Sequence, residues 1–542
     1  MMLLLTLHAQ PFMLLQLAGG VMLLFLGAST FYTFSLYGPQ LAARLNYSQL
    51  ELSVVASAAV AGHALATAFA RQLVRRSPRS MCALAATLTL LGFAGLAALH
   101  EGYLPALSFM LTAALAAMAG AGSAIVRSAV TATAQRRMAI AGLHTLSRLL
   151  AATLGLLVCI WALVRLAHLD HRSDAGRSSG TGAYLAILAL VGSIACLLPM
   201  LLPQFRRVHS PAPSPYAGSA AASPFLRTPT LMPSPPLLAL PLPHTLSIPD
   251  IDERTMRAPK GVYASPFSGT ASPPLRAGRN YGAIGPDHSP MLYPSRPRTP
   301  DLAMLREISA SDQGILGGFD DGGLWAATAL LAGVALGYIN TAGSMVHLIG
   351  AHSALDATNG RRERDTSMQV VVFGVSMSIA HVTLSLLLDR IFAVSVRQRQ
   401  LRVLVAAAVL LLVVQICGYL ATTPHQLLVV AAASGLAYGS ICVVLPFDVL
   451  SGNDVTEWRN TLQDAKNRWL VLAPSVGAPW FIMLFGLWVD AYDQAERCMG
   501  GPCYRFIFPF TGSACLVALL LLLVLWYRHA HPPQFYQRIG VN

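Results

Sequence analysis

Twelve long apolar runs, broken once by a stretch of quite different composition, constrain this 542-residue chain more than any other feature. A helix needs about 20 mostly apolar residues to cross the hydrocarbon of a bilayer. Such runs fall at 12–36, 50–70, 81–99, 104–130, 138–166 and 183–203. They resume at 325–349, 367–388, 401–421, 425–447, 469–489 and 506–527. In lipid each backbone N–H and C=O must be bonded internally, so runs of this length read as helices. The ninth and tenth are divided only by Thr422, Thr423 and Pro424. The expected fold is an all-α membrane protein, with twelve transmembrane helices in two six-helix bundles. The start, Met1–Gly20, has no basic region ahead of its apolar stretch and reads as part of the mature protein rather than a cleaved signal.

The interruption sets the domain division: a bundle at 1–203, a linker at 204–322 and a second bundle at 323–542. Residues 204–322 are rich in Pro, Ser, Ala and Gly and hold no sustained period. Such a segment cannot bury enough apolar surface to offset its ordering entropy, so it is read as a disordered cytosolic linker. It carries Ser-Pro or Thr-Pro at Ser210, Ser214, Ser223, Thr228, Ser234, Ser265, Ser272, Ser289 and Thr299. Two readings stand: a kinase acting on 204–322, and plain compositional bias. Tyr281-Gly-Ala-Ile284 fits a tyrosine-type sorting signal, in a pattern common by chance.

Charge is scarce, at 11% of residues against about 25% in soluble domains. The net charge of +13 comes almost wholly from Arg, with Lys260 and Lys466 the only lysines. Codon usage accounts for that skew better than function does. The arginines sit in short turns between apolar runs, which points to membrane topology rather than nucleic acid. With the N-terminus in the cytosol, inner turns hold Arg71, Arg75, Arg76, Arg79, Arg136, Arg137, Arg390, Arg397, Arg399 and Arg402. Outer turns hold Arg44 alone, Glu101 alone, and Asp170, Arg172, Asp174 and Arg177 together. The turn 350–366 runs against this, with Arg361, Arg362 and Arg364 beside Asp356, Glu363 and Asp365. The balance places both termini in the cytosol. The membrane is the plasma membrane or an endomembrane organelle. Of the eight cysteines, Cys82, Cys159, Cys196 and Cys417 fall inside apolar runs and read as small core residues.

Polar groups inside a bilayer are costly and therefore mark candidate sites. Arg148 lies about ten residues into the fifth run, roughly 15 Å deep at 1.5 Å per residue. Arg127 falls at a similar depth in the fourth run. His144 precedes Arg148 by four residues, so the two share a helix face. Guanidinium forks match carboxylate and phosphate oxygens, which makes this group a candidate anion surface. The alternative is that each Arg bonds carbonyls or snorkels to the interface. Further candidates are Asn340, His381 and Tyr438 in the second half, and His63 and Tyr32 in the first. A lone buried His is more often a packing residue than a ligand. No Asp or Glu falls in the middle of any run. Coordination of a bare hard cation is thereby disfavoured. The imidazoles could still handle protons or a softer metal, so the metal question stays open. No cofactor is expected. Cys498 and Cys503, in the last outer turn, read as a disulfide or as two unpaired thiols. Asn46-Tyr47-Ser48 is a formal glycosylation sequon too close to two spans to be modified.

An ordered set of short motifs resembles the nodulin-like family of the major facilitator superfamily, as a protozoan-type member. The set opens with Phe34-Ser35-Leu36-Tyr37 and Leu45-Asn46-Tyr47-Ser48-Gln49, and includes Arg137 with Gly142 and the polar Asn340. It closes with Ala473-Pro474-Ser475-Val476-Gly477, Gly486-Leu487-Trp488-Val489-Asp490, the Cys-x-Gly-x-x-Cys at 498–503, and Phe535-Tyr536. Asp389-Arg390 resembles the acidic-basic pair of an inner major facilitator turn and would act as a conformational latch. The equivalent turn of the first half has no acid. His63 stands where the family often has an acid, and His144-Thr145 near the place of a family Lys. The resemblance implies the major facilitator fold and transport by alternating access. It also leaves room for organic anions and for iron.

These observations imply a secondary transporter of a small polar solute, and the cationic interior favours an organic anion. An iron or iron-chelate transporter, for export or homeostasis, is the alternative. A transporter-like sensor signalling through 204–322 is a reading of another class. An enzyme acting on lipid would need interfacial His/Asp clusters, and the sequence shows none. The expected partners are a small-molecule or ion substrate and the lipid bilayer, with no nucleic acid.

Overall fold

The computed structural model describes residues 11–76, 78–104, 109–130, 144–170, 180–201, 301–350, 359–391, 396–444, 457–493 and 502–530. Side chains at several helix ends lie outside that description. Among the described residues there is no strand, and twelve helices are long and apolar enough to cross a bilayer. Spans one to six are Ala18–Leu45, Gln49–Ala70, Arg79–Glu101, Phe109–Ala129, Leu149–His168 and Thr181–Met200. Spans seven to twelve are Asp320–Ile349, Arg361–Leu387, Gln400–Leu420, Pro424–Val444, Leu472–Tyr492 and Ile507–Ala530. All the even-numbered spans therefore begin at one end of the molecule, here named for Gln49.

The division between spans nine and ten is a built turn. Gln426 Oε1 accepts the N–H groups of Thr422 and Thr423 at 2.6 and 3.2 Å, and Thr423 Oγ1 accepts the N–H of Gln426 at 3.4 Å. The orphan amides at the start of span ten thus find partners within the turn.

Three boundaries differ from the expected ones. Span one is longer, and it is broken. An α-helix over Pro11–Ser29 gives way to a 3-10 turn over Thr30–Thr33, then to a second α-helix over Phe34–Leu45. Ser29, Thr30 and Thr33 each donate a hydroxyl to the carbonyl three residues back, at 2.7, 2.8 and 2.7 Å. Such back-bonding competes with the helix ladder and bends it. Span eight starts at Arg361 rather than 367, so Glu363 lies within a helix instead of a turn. The helix carrying span seven begins at Asp301, inside the segment that composition assigns to the linker. The remainder of that segment lies outside the described residues.

Within the first half, span two packs on four, and span three on four and six. Within the second, eight packs on ten, and nine on ten and twelve. Among the described residues, the most extensive contacts between the halves join five with eight, and two with eleven. Small residues permit that approach, as is usual for helices in lipid. A Cβ on Gly155 of span five would strike the carbonyl of Gly374 in span eight. Ser378 donates to the Ala152 carbonyl at 2.7 Å along the same seam. Large apolar side chains such as Leu65, Leu156, Leu190, Ile416 and Trp480 stay exposed on the outside. That surface is the one the acyl chains would solvate.

Candidate functional site

The break in span one presents Phe31 and Tyr32 to the seam between the halves. Both are buried. Tyr32 Oη lies 3.2 Å from Tyr438 Oη of span ten, with the rings edge-on at 6.0 Å. Arg127, in the last turn of the span-four helix, is hydrogen-bonded to Tyr438 and Tyr32, and also to the Cys442 thiol. Tyr438 and Cys442 are one helical turn apart, so span ten offers both groups on one face. A guanidinium of the first half is thus held by groups from both halves.

Two imidazoles lie within the field of that guanidinium, His63 of span two and His381 of span eight. His63 stacks on Phe31 at 4.3 Å, and its Nδ1 is 3.2 Å from Ser123 Oγ. Ser123 in turn donates to the Gly120 carbonyl at 2.7 Å. It precedes Arg127 by four residues and so shares its face of span four. His381 is 7% exposed, and its Nδ1 has no hydrogen-bond partner. An unpartnered polar atom at that burial costs free energy unless something fills the place. Among the described residues no group of three His, Cys, Asp or Glu is arranged to hold a metal ion.

Arg127, Tyr32, Tyr438, His63 and His381, all candidates from the sequence, are therefore brought together. His63 and Tyr438 each lie 14 residues beyond the first residue of their spans, Gln49 and Pro424, roughly 21 Å from the Gln49 end at 1.5 Å per residue. Asn340 has no contact that joins it to this group; its Nδ2 donates to the Leu336 carbonyl at 2.8 Å. It stands at the level of Tyr32, because Gly343 of span seven abuts the Ser35 carbonyl of span one. Both spans run in the same direction. Arg148 lies on the helix His144–Asp170, and the residues before His144 lie outside the described ones. The register of spans five and eight sets its backbone opposite His381. The side chains of His144 and Arg148, of the expected latch Asp389 and Arg390, and of Cys503 lie outside the described residues, as does Cys498 altogether.

A separate pocket of about 280 Å³, mouth included, lies within the second half. Tyr338, Thr341, Gln415, Phe481, Phe508 and Thr511 line it. It does not include the Arg127 group.

Two cross-seam contacts escaped the sequence reading. Arg165 in span five pairs with Glu363 in span eight at 3.2 Å, and their side chains are 1% and 8% exposed. Arg165 also donates to Thr181 Oγ1 at 2.9 Å and lies over the Tyr184 ring, while Gln40 hydrogen-bonds Glu363. Secondly, Asp490 at the end of span eleven accepts the N–H groups of Gln49 and Leu50, each at 2.9 Å. These amides open span two. Gly486, one turn earlier, fits against Ser53. The signal for the first contact was Arg165 itself, a charge inside an apolar run. For the second, nothing local could have linked residues more than 400 positions apart.

No protein-family model and no curated protein sequence matches this chain. Its three-dimensional likeness to solved structures is nonetheless extensive. It matches a D-xylose–proton symporter with a TM-score of 0.54 at 13% identity, over 95% of this chain and 96% of that one. It matches a mutant of the nucleoside transporter NupG with a TM-score of 0.52 at 10% identity, over 94% and 99%. A structure from work on proton-dependent oligopeptide transporters gives 0.52 at 10% identity, over 94% and 97%. At such identities the likeness establishes the fold.

Proposed function

We propose that this chain, which has the major facilitator fold, is a secondary transporter of a small organic anion. One observation carries the reading: Arg127 is half-buried at the seam and tied to Tyr32 on its own side and to Tyr438 and Cys442 on the other. A guanidinium offers a carboxylate or phosphate paired donors in a fixed fork. The hydroxyls of Tyr32 and Tyr438 and the imidazoles of His63 and His381 would supply the remaining polar contacts. Because the groups come from both halves, an anion bound there would bridge them. Rocking of one half on the other would then expose the site to each side in turn.

The solved relatives in fold carry xylose, nucleosides or peptides by their names, and their shared architecture supports transport as the class of activity. The motif set supports membership of the nodulin-like branch. The two imidazoles favour a second reading, iron carried as a chelate of an organic acid. Cytosolic termini and a phosphorylated linker at 204–322 complete the proposal.

Reconstituted vesicles test it. Counterflow of radiolabelled mono-, di- and tricarboxylates, with and without ferric iron, should reveal one transported class. Arg127→Ala should cut that flux about 30-fold, the equivalent of about 2 kcal/mol for a lost charge-assisted contact. Flux unchanged in Arg127→Ala would overturn the anion reading. Flux that appears only when iron is present would move the assignment to the chelate.

A further inference from the structure

The two cross-seam contacts lie at the same end. Span two begins there with Gln49, span eleven ends there with Asp490, span five ends beyond Arg165, and span eight begins just before Glu363. Each contact joins the first half to the second. They differ in kind. The Asp490 carboxylate supplies the missing cap of a helix in the other half: both of its oxygens take amides of the first turn of span two. A helix start has free N–H groups and partial positive charge, so a carboxylate there is doubly favoured. The Arg165–Glu363 pair is instead a buried ion pair, wrapped by Thr181, Tyr184 and Gln40. Neither contact can survive if the halves part at this end.

We propose that these contacts form a two-point latch which holds the Gln49 end shut and biases the molecule toward the state open at the opposite end. The proposal rests on the reading that the halves move, and not on which solute they carry. The latch accounts for two motif segments at once. Leu45-Asn46-Tyr47-Ser48-Gln49 and Gly486-Leu487-Trp488-Val489-Asp490 meet across the seam. Asn46 takes the left-handed conformation, with φ of 56°, that turns the chain from span one into span two. Ser48 and Glu51 cap the turn locally, through Ser48 N–H to Glu51 at 2.9 Å and Glu51 N–H to Ser48 Oγ at 3.2 Å. The next two amides, of Gln49 and Leu50, are left for Asp490.

Opening at this end costs both contacts, so removing either should raise the open population. Weakening a charge-assisted bond changes a two-state ratio by about tenfold. Paired spin labels read this directly. One label goes on Tyr103→Cys, at an exposed turn of the first half, and the other on exposed Cys417 of the second half. Cys498 and Cys503 are replaced by Ser in the full-length chain. The parent should give one short distance. Asp490→Ala, Glu363→Gln and the double variant should each add a longer population, largest in the double. The swapped pair Arg165→Glu with Glu363→Arg, folded as judged by a single monodisperse peak, should restore the short one. A distance distribution unchanged in a monodisperse double variant overturns the latch. A flux that responds to Arg127→Ala while the distances do not respond to Asp490→Ala or Glu363→Gln would leave the transport reading standing and sink this one.

Discussion

Arg127 is held by three groups of two halves, and the contributions of those groups can be separated one hydroxyl at a time. Tyr438→Phe and Tyr32→Phe keep the rings, whose edge-on packing at 6.0 Å needs no oxygen. Each change removes a hydrogen bond worth about 1 kcal/mol, so half-saturation for the transported anion should rise about fivefold. The double variant should do less harm than the product of the two, because each single change already removes the bond that Tyr32 and Tyr438 make with each other at 3.2 Å. Concentration-dependent uptake measures both. A pair of Phe variants indistinguishable from the parent would mean that the guanidinium is not held in place by these hydroxyls. The sequence exposed most of this site because a polar residue inside an apolar run is conspicuous. It passed over Cys442, which looks like any small core residue until an arginine faces it.

At the scale of elements, the seam between spans five and eight is the tightest place where the halves touch. Gly155 has no room for a side chain: a Cβ there would meet Gly374 and Ser378. Gly155→Leu should therefore push the spans apart, at about 1–3 kcal/mol of overpacking. The expected result is a lower melting temperature in detergent and slower flux, with Arg127 untouched. A Leu variant with parental melting and flux would show that the seam yields freely. The spans themselves were legible because lipid enforces one rule, a long apolar run per crossing. Their charged margins were not. Arg361 to Asp365 read as a turn from composition, yet Glu363 enters the helix because Arg165 waits for it in span five. The break in span one was equally hidden. Ser29, Thr30 and Thr33 are common enough in apolar helices, and only their back-bonding reveals the bend.

At the scale of the whole molecule, the two halves complete each other's unfinished chemistry, and this bears on how the protein is made. A ribosome delivers span two long before span eleven, and span five before span eight. Until the later spans arrive, the first amides of span two lack their carboxylate and Arg165 lacks Glu363. A buried charge stripped of its partner costs about 3–5 kcal/mol. The nascent first half is therefore an unstable intermediate during insertion, exposed to quality-control proteases for as long as synthesis of the second half takes. Residues 1–209 expressed alone should be degraded quickly, and co-expression of 301–542 should rescue them, as pulse-chase decay would record. Equal lifetimes with and without the second half would show that the early bundle matures unaided.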